Sequence, residues 1–390
     1  MTISTFLDLQ NGFYNALSQG LGFSSSIPFQ MVQPSPPLVA SDKQNTLLWD
    51  YFNSIPPASL THSYVPAKGA QFATNYSALL SALASPGSTF ATDVGADCAA
   101  KWNAHLSGLN PTPAMGQWPG LFREWAMMNG FDAVANKGLS DISRDLLEPV
   151  SAADMAMLLY TGIKPFDWDA GYPDLVQQLA AAPNRKFNIA SSSMNSDVSN
   201  SWSNNDDDGF FGLWGGSSSS SSESSTFAES DVTVVANFEH VTQFAPAPGA
   251  WYNSAAMAMA FENQTGAPWA SPPSDINWGT VFGPTGDLQR FSTNLVVVSG
   301  MTITVTSSAK FSSEQQTNIN NNKGAGMWPF YDTDSNSGST SDVLFGLDGS
   351  MTVTITSKPD TPVVIGVIVE PVAQFVGSGM RDSYTVPRAA

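Results

Sequence analysis

Side chains able to do chemistry are few in this chain, and acids dominate them. Asp332-Thr-Asp-Ser-Asn-Ser-Gly-Ser-Thr-Ser-Asp342 sets oxygen donors at alternate positions (Asp332, Asp334, Asn336), then a glycine for a turn and a closing acid, Asp342. A hard cation collects carboxylate and carbonyl oxygens in this way, so the segment is a candidate Ca²⁺ loop. It departs from the EF-hand pattern. Gly338 falls one position late, and Asp342 comes one position early and is shorter than the usual Glu. Asp206-Asp-Asp208 is a second acidic run. The competing reading is a solvated, Ser-rich loop held open by charge. Apart from Ca²⁺ the sequence implies no cofactor.

Other chemistries find little support. There is no Gly-x-Ser-x-Gly elbow. Ser307-Ser-Ala-Lys310 fits a Ser-x-x-Lys pattern, but on a strand that spacing sends the two side chains to opposite faces. The histidines, His62, His105 and His240, sit in unrelated contexts without helix-spaced partners, so a His-based metal site is not expected. His240 reads as a satisfied core or edge histidine. Gly324-Ala-Gly326 and Gly377-Ser-Gly379 lack the third glycine and the helix of a phosphate cradle. Asp167-Trp-Asp169 is a carboxylate pair beside an aromatic, as a glycosidase would need, but nothing sets its separation.

Two aromatic knots stand out instead. Phe210, Phe211, Leu213 and Trp214 form one, and Met327, Trp328, Phe330 and Tyr331 the other. Long stretches of Ser, Asn and Asp flank both, which is not the patterning of a core. Apolar clusters rimmed by polar surface mark contacts with proteins or membranes, and Trp and Tyr favour the lipid headgroup level. Docking of each knot inside its own molecule is the competing expectation. Ser- and Thr-rich alternating strands leading to an aromatic tip resemble, in layout, the insertion hairpins of β-pore-forming toxins. That resemblance covers about a quarter of the chain and implies oligomerisation at a membrane.

The strands that would carry these tips are legible. Met301-Thr-Ile-Thr-Val-Thr-Ser307 and Met351-Thr-Val-Thr-Ile-Thr-Ser357 are one heptad written twice with Ile and Val exchanged. Strict alternation of β-branched residues predicts two neighbouring antiparallel strands with a long excursion between them. Phe187 to Met194 and Phe227 to Phe244 repeat that plan around the first tip. Val363 to Val369 is continuously apolar and suits a strand covered on both faces. Residues 246–284 read as mostly loop. The N-terminal half is helical by spacing: Phe72, Tyr76, Leu79, Leu80 and Leu83 share a stripe, and Cys98 to Leu106, Leu121 to Met128 and Pro173 to Ala182 follow. Ser151 with Asp154 looks like a capping box.

Composition bounds the rest. The chain has 390 residues, a net charge of −18, and only 12% charged residues. Nucleic acid and anionic lipid need cationic surface, so both are disfavoured as partners. Cys98 is the single cysteine, which rules out an intrachain disulfide and reads as a small buried hydrophobe. No Sec-type leader or membrane-spanning helix is visible, so a soluble chain is expected, cytoplasmic or exported by another route. The expected fold is α+β. It has a helical region 1–184, a mostly antiparallel sheet or sandwich over 185–376 with two Ser-rich excursions, and a loose tail 377–390. The leading functional expectation is a non-enzymatic protein that forms homo-oligomers or contacts a neutral membrane through the two tips. A structural self-assembling protein and a secreted carbohydrate-binding or glycoside-active protein are the alternatives.

Overall fold

The computed structural model describes residues 14–23, 28–32, 38, 44–56, 71–84, 88–109, 113–160, 165–190, 222–270, 275–322, 339–357 and 361–377. The chain divides into two compact units, each discontinuous in sequence. One comprises Met1–Gly69, Ala170–Pro246 and Ser292–Glu370, and the other Ala70–Asp169, Ala247–Phe291 and Pro371–Ala390. The class is α+β, with helices mostly N-terminal and strands mostly C-terminal.

A seven-stranded antiparallel sheet frames the first unit: β1 (Phe29–Met31), β2 (Arg185–Ala190), β3 (Val232–Phe244), β4 (Arg290–Ser307), β5 (Ser339–Phe345), β6 (Met351–Ser357) and β7 (Val363–Pro371). Among the described residues these strands form a single sheet. β4 is its axis. β3 pairs with it on one side, while β7 and β6 share the other, and β2, β5 and β1 lie outermost. The two heptads are direct neighbours, as expected. Antiparallel pairing reverses one copy, so the Ile/Val exchange puts Ile303 opposite Ile355 and Val305 opposite Val353. Like-for-like β-branched pairs meet on the buried face and Thr pairs on the other.

Gly300 divides β4 into two regimes. Its φ of +58° is a left-handed conformation, and a Cβ there would meet the Glu239 side chain of β3. Beyond it the alternation changes phase. Phe238 and Met301 share a hydrophobic core with Val298 and Val296, one step out of strict period. On one side of Gly300 both faces are covered, with Phe244 stacking edge-on against Phe52 of α2 (Gln44–Asn53) and α9 (Tyr172–Ala180) lying against β3. On the heptad side the described elements cover one face. α1 (14–20), α10 (Ser222–Ala228) and α13 (Ser313–Asn322) cover it through Tyr14, Leu17, Phe227 and Ile319. β7 is buried along most of its length, as its continuous apolar run requires.

Some expectations need correction. The excursion between the heptads carries a helix and a strand that the sequence reading did not assign. β4 leads through α13 into β5, and β6 then inserts between β4 and β5. The polar composition hid α13, which is held by one deep anchor, Ile319, and by Ala309 and Phe311 before it. β3 begins at Val232, not Phe227, because residues 222–228 are the helix α10.

The second unit contains α3 (Phe72–Ser81), α4 (Phe90–Val94), α5 (Ala96–Ser107), α6 (Trp118–Met128), α7 (Ala135–Asp145), α8 (Pro149–Leu158), α11 (Ser254–Glu262), α12 (Trp278–Phe282) and α14 (Val372–Phe375). The stripe expected on α3 is buried, and Phe72 and Tyr76 join Trp251, Tyr252 and Phe375 in an aromatic core. Cys98 is buried and free. Two helices, α11 and α12, occupy the region read as loop. Asn253 and Asn277 cap them through their side chains, a signal that the Pro- and Gly-rich flanks masked. Ser151 is not a cap. Glu148 accepts from the Val150 and Ser151 amides and Pro149 takes the first helical position, so α8 starts earlier and Asp154 lies inside it.

Candidate functional site

Five strands, β2-β3-β4-β6-β5, run in register and end together. Ala190, Thr233, Thr306, Thr352 and Leu344 form one row across the sheet. Asn188, Val235, Thr304, Thr354 and Asp342 form the next, and Lys186, Asn237, Thr302, Thr356 and Thr340 the third. These side chains lie on the face opposite the core, and each is half-buried or exposed. The result is a Thr-rich face with a period of two along the strands, carrying a cation, Lys186, at one edge and an acid, Asp342, at the other. It follows directly from the Thr-x-Thr-x-Thr repeats.

Chain passes in and out of the sheet at the end beyond Ala190 and Leu344. The segment that carries Phe210, Phe211, Leu213 and Trp214 leaves from Ala190 and re-enters at Ser222, the start of α10. α10 is tied to α13, the element before the second tip. Gln315 Nε2 donates to Thr226 Oγ1 at 3.3 Å, and Asn318 Nδ2 donates to Glu223 Oε1 at 3.4 Å. At the same end the β5–β6 turn closes with Gly346 N donating to Ser350 O at 2.8 Å, while Asp348 accepts from Ser350. Gly349 takes φ +85° there, which a glycine allows. This turn holds Leu347 fully in solvent, and Leu344 beside it is 69% exposed. Sequence reading missed both leucines. The signal was the Leu-Asp-Gly turn after an alternating strand.

Most of the residues singled out from the sequence lie outside the described residues: Phe210, Phe211, Leu213, Trp214, Met327, Trp328, Phe330, Tyr331, Asp332, Asp334 and Asn336. Asp342 is described. It sits on β5, exposed, opposite Thr354. Among the described residues no three His, Cys, Asp or Glu side chains form a group that could hold a metal ion.

Other candidates resolve into structural roles. Asp167 accepts from the Tyr160 hydroxyl at 3.0 Å and Asp169 from the Ala247 amide at 2.8 Å, so this pair fastens loops. Trp168 between them is buried, and the core residue Trp251 donates its indole N–H to the Asp167 carbonyl at 2.7 Å. His240 Nδ1 lies 2.9 Å from the Ala182 carbonyl, the satisfied edge histidine expected. Ser307 is buried against Ser230, and Lys310 is exposed. No family model, curated protein or solved structure matches this chain.

Proposed function

We propose that the chain is a non-enzymatic protein that assembles with copies of itself and contacts a neutral membrane through the segments carrying Trp214 and Trp328. One observation carries this reading. The Trp214 segment leaves the sheet at the same end at which the β5–β6 turn holds Leu344 and Leu347 in solvent. An apolar turn at the end of the Thr-rich sheet from which an aromatic-bearing segment departs suits insertion at the headgroup level.

The sheet's edges support the self-assembly half. β2 and β5 are its two outer strands here and both run parallel to β4. β2 carries exposed Arg185 and Lys186, the last cations before Arg290, and β5 carries exposed Asp342. A copy rotated about an axis along the strands brings a basic edge to an acidic one. Such head-to-tail contacts close into rings when the rotation permits.

Flotation and dye release with neutral phosphatidylcholine vesicles test the membrane part. Wild type should float with the vesicles, and Leu347→Ser and Trp214→Ser should each reduce this by about tenfold. Wild type that stays at the bottom of the gradient sinks the reading. If light scattering nevertheless shows large particles without lipid, assembly with no membrane role takes its place.

A further inference from the structure

The second unit holds a cavity that neither its packing nor the proposed assembly requires. It is about 210 Å³ and lies among α4, α5, α6, α7 and α8. Trp102, Trp118, Leu106 and Ile142 form its buried walls, and Asn103 stands exposed at its rim. A dry apolar cavity of about 150 Å³ admits a benzene-sized molecule, so this one has room for a single ring and a short tail.

One charged side chain lines it, Asp154 of α8. Because Glu148 and Pro149 start the helix, Asp154 is not spent on a cap. Its nearest charged influence is Glu148, another acid already committed to the Val150 and Ser151 amides, and its other titratable neighbour is the Tyr76 phenol. None of the ion pairs among the described residues uses it. A half-buried carboxylate without a cation is an unfavourable arrangement that a ligand cation would relieve. Loss of hydration raises its pKa to about 6, which still leaves it ionised at neutral pH.

We infer that this cavity binds a small organic monocation, an amine with a ring-sized apolar body, its ammonium against Asp154 and its ring among Trp102, Trp118 and Ile142. Indole faces attract cations as well as apolar groups, so both ends of such a ligand are matched. The net charge of −18 raises the local concentration of cations over anions. Neutral rings fill the space but leave the carboxylate unpaired, and ring-bearing acids add a second negative charge beside it.

Calorimetric titration of the full chain near neutral pH tests this with three ligands of one shape: phenethylamine, 2-phenylethanol and 3-phenylpropionate. The amine should bind about tenfold or more tighter than the alcohol, and the acid should not bind. Asp154→Asn should erase the preference for the amine while keeping the alcohol. Leu158→Lys is a second variant that leaves the core untouched, since Leu158 is exposed and lies one turn beyond Asp154. The new ammonium should occupy Asp154 and exclude the amine. The inference is overturned if wild type binds the alcohol as tightly as the amine, if it binds none of the three at millimolar concentration, or if both variants keep the amine.

Discussion

Asp154 shows how one side chain's environment sets its energetics. Loss of hydration is the larger cause of its raised pKa, near 6, and the Glu148 charge adds to it. An unfolded aspartate titrates near 3.9, so between about pH 4 and pH 6 the folded chain holds a proton that the unfolded chain releases. That proton difference makes stability fall as pH rises through the interval and stay level above it. Asp154→Asn removes the effect. Denaturant titrations of both proteins should agree near pH 4, and near pH 7.5 the variant should be more stable by about 1 kcal/mol, after discounting for the water that still reaches the carboxyl. Equal stability at both pH values would mean that the carboxyl is not desolvated. Nothing in the sequence marks Asp154 in this way. Its spacing from Ser151 resembles a cap, and only the Glu148 and Pro149 start of α8 shows otherwise.

At the scale of elements, close approach decides more than propensity. Gly138 of α7 lets that helix press against α6 and α4. A Cβ there would lie 2.1 Å from the Phe122 ring and 2.9 Å from Val94. Phe122 cannot retreat, because Phe90 and Trp102 stack edge-on against it. Alanine is the better helix former by about 1 kcal/mol, so propensity alone favours Gly138→Ala. Overpacking costs about 1–3 kcal/mol, and the clash should win. Thermal unfolding of Gly138→Ala should show a lowered midpoint; a raised one would mean the helices move apart at little cost. The heptad strands are the reverse case. Their alternation predicts face, neighbour and register, because β-branched residues on a period of two leave one way to bury Met301, Ile303 and Val305. α13 was hidden by its Asn- and Gln-rich sequence, since one buried Ile319 gives no periodicity to read.

At the scale of the whole molecule, assembly would be governed by its outer strands. If β2 of one copy meets β5 of the next, Lys186→Glu and Asp342→Lys should each shift sedimentation toward smaller species. The two changes combined on one chain should restore assembly, because the charges are exchanged rather than lost. Added salt should weaken wild-type association, as expected of exposed charges. Two single variants that sediment like wild type would remove the edges from the interface. Among the described residues no helix is long and apolar enough to cross a membrane.

The sequence by itself determined the α+β class, the pairing of the two heptads, the doubly covered β7 and the burial of the α3 stripe. All of these follow from local periodicity, which records the face each residue must bury. Only the tertiary structure decided that the excursion carries α13 and β5, with β6 between β4 and β5, and that Gly300 shifts the sheet's phase. It also placed Leu347 in solvent and set Asp154 on a cavity with no ion-pair partner among the described residues. Those features depend on which distant residues meet, such as Gly300 with Glu239 or α8 with α5 and α6, and a short-range pattern carries no record of that.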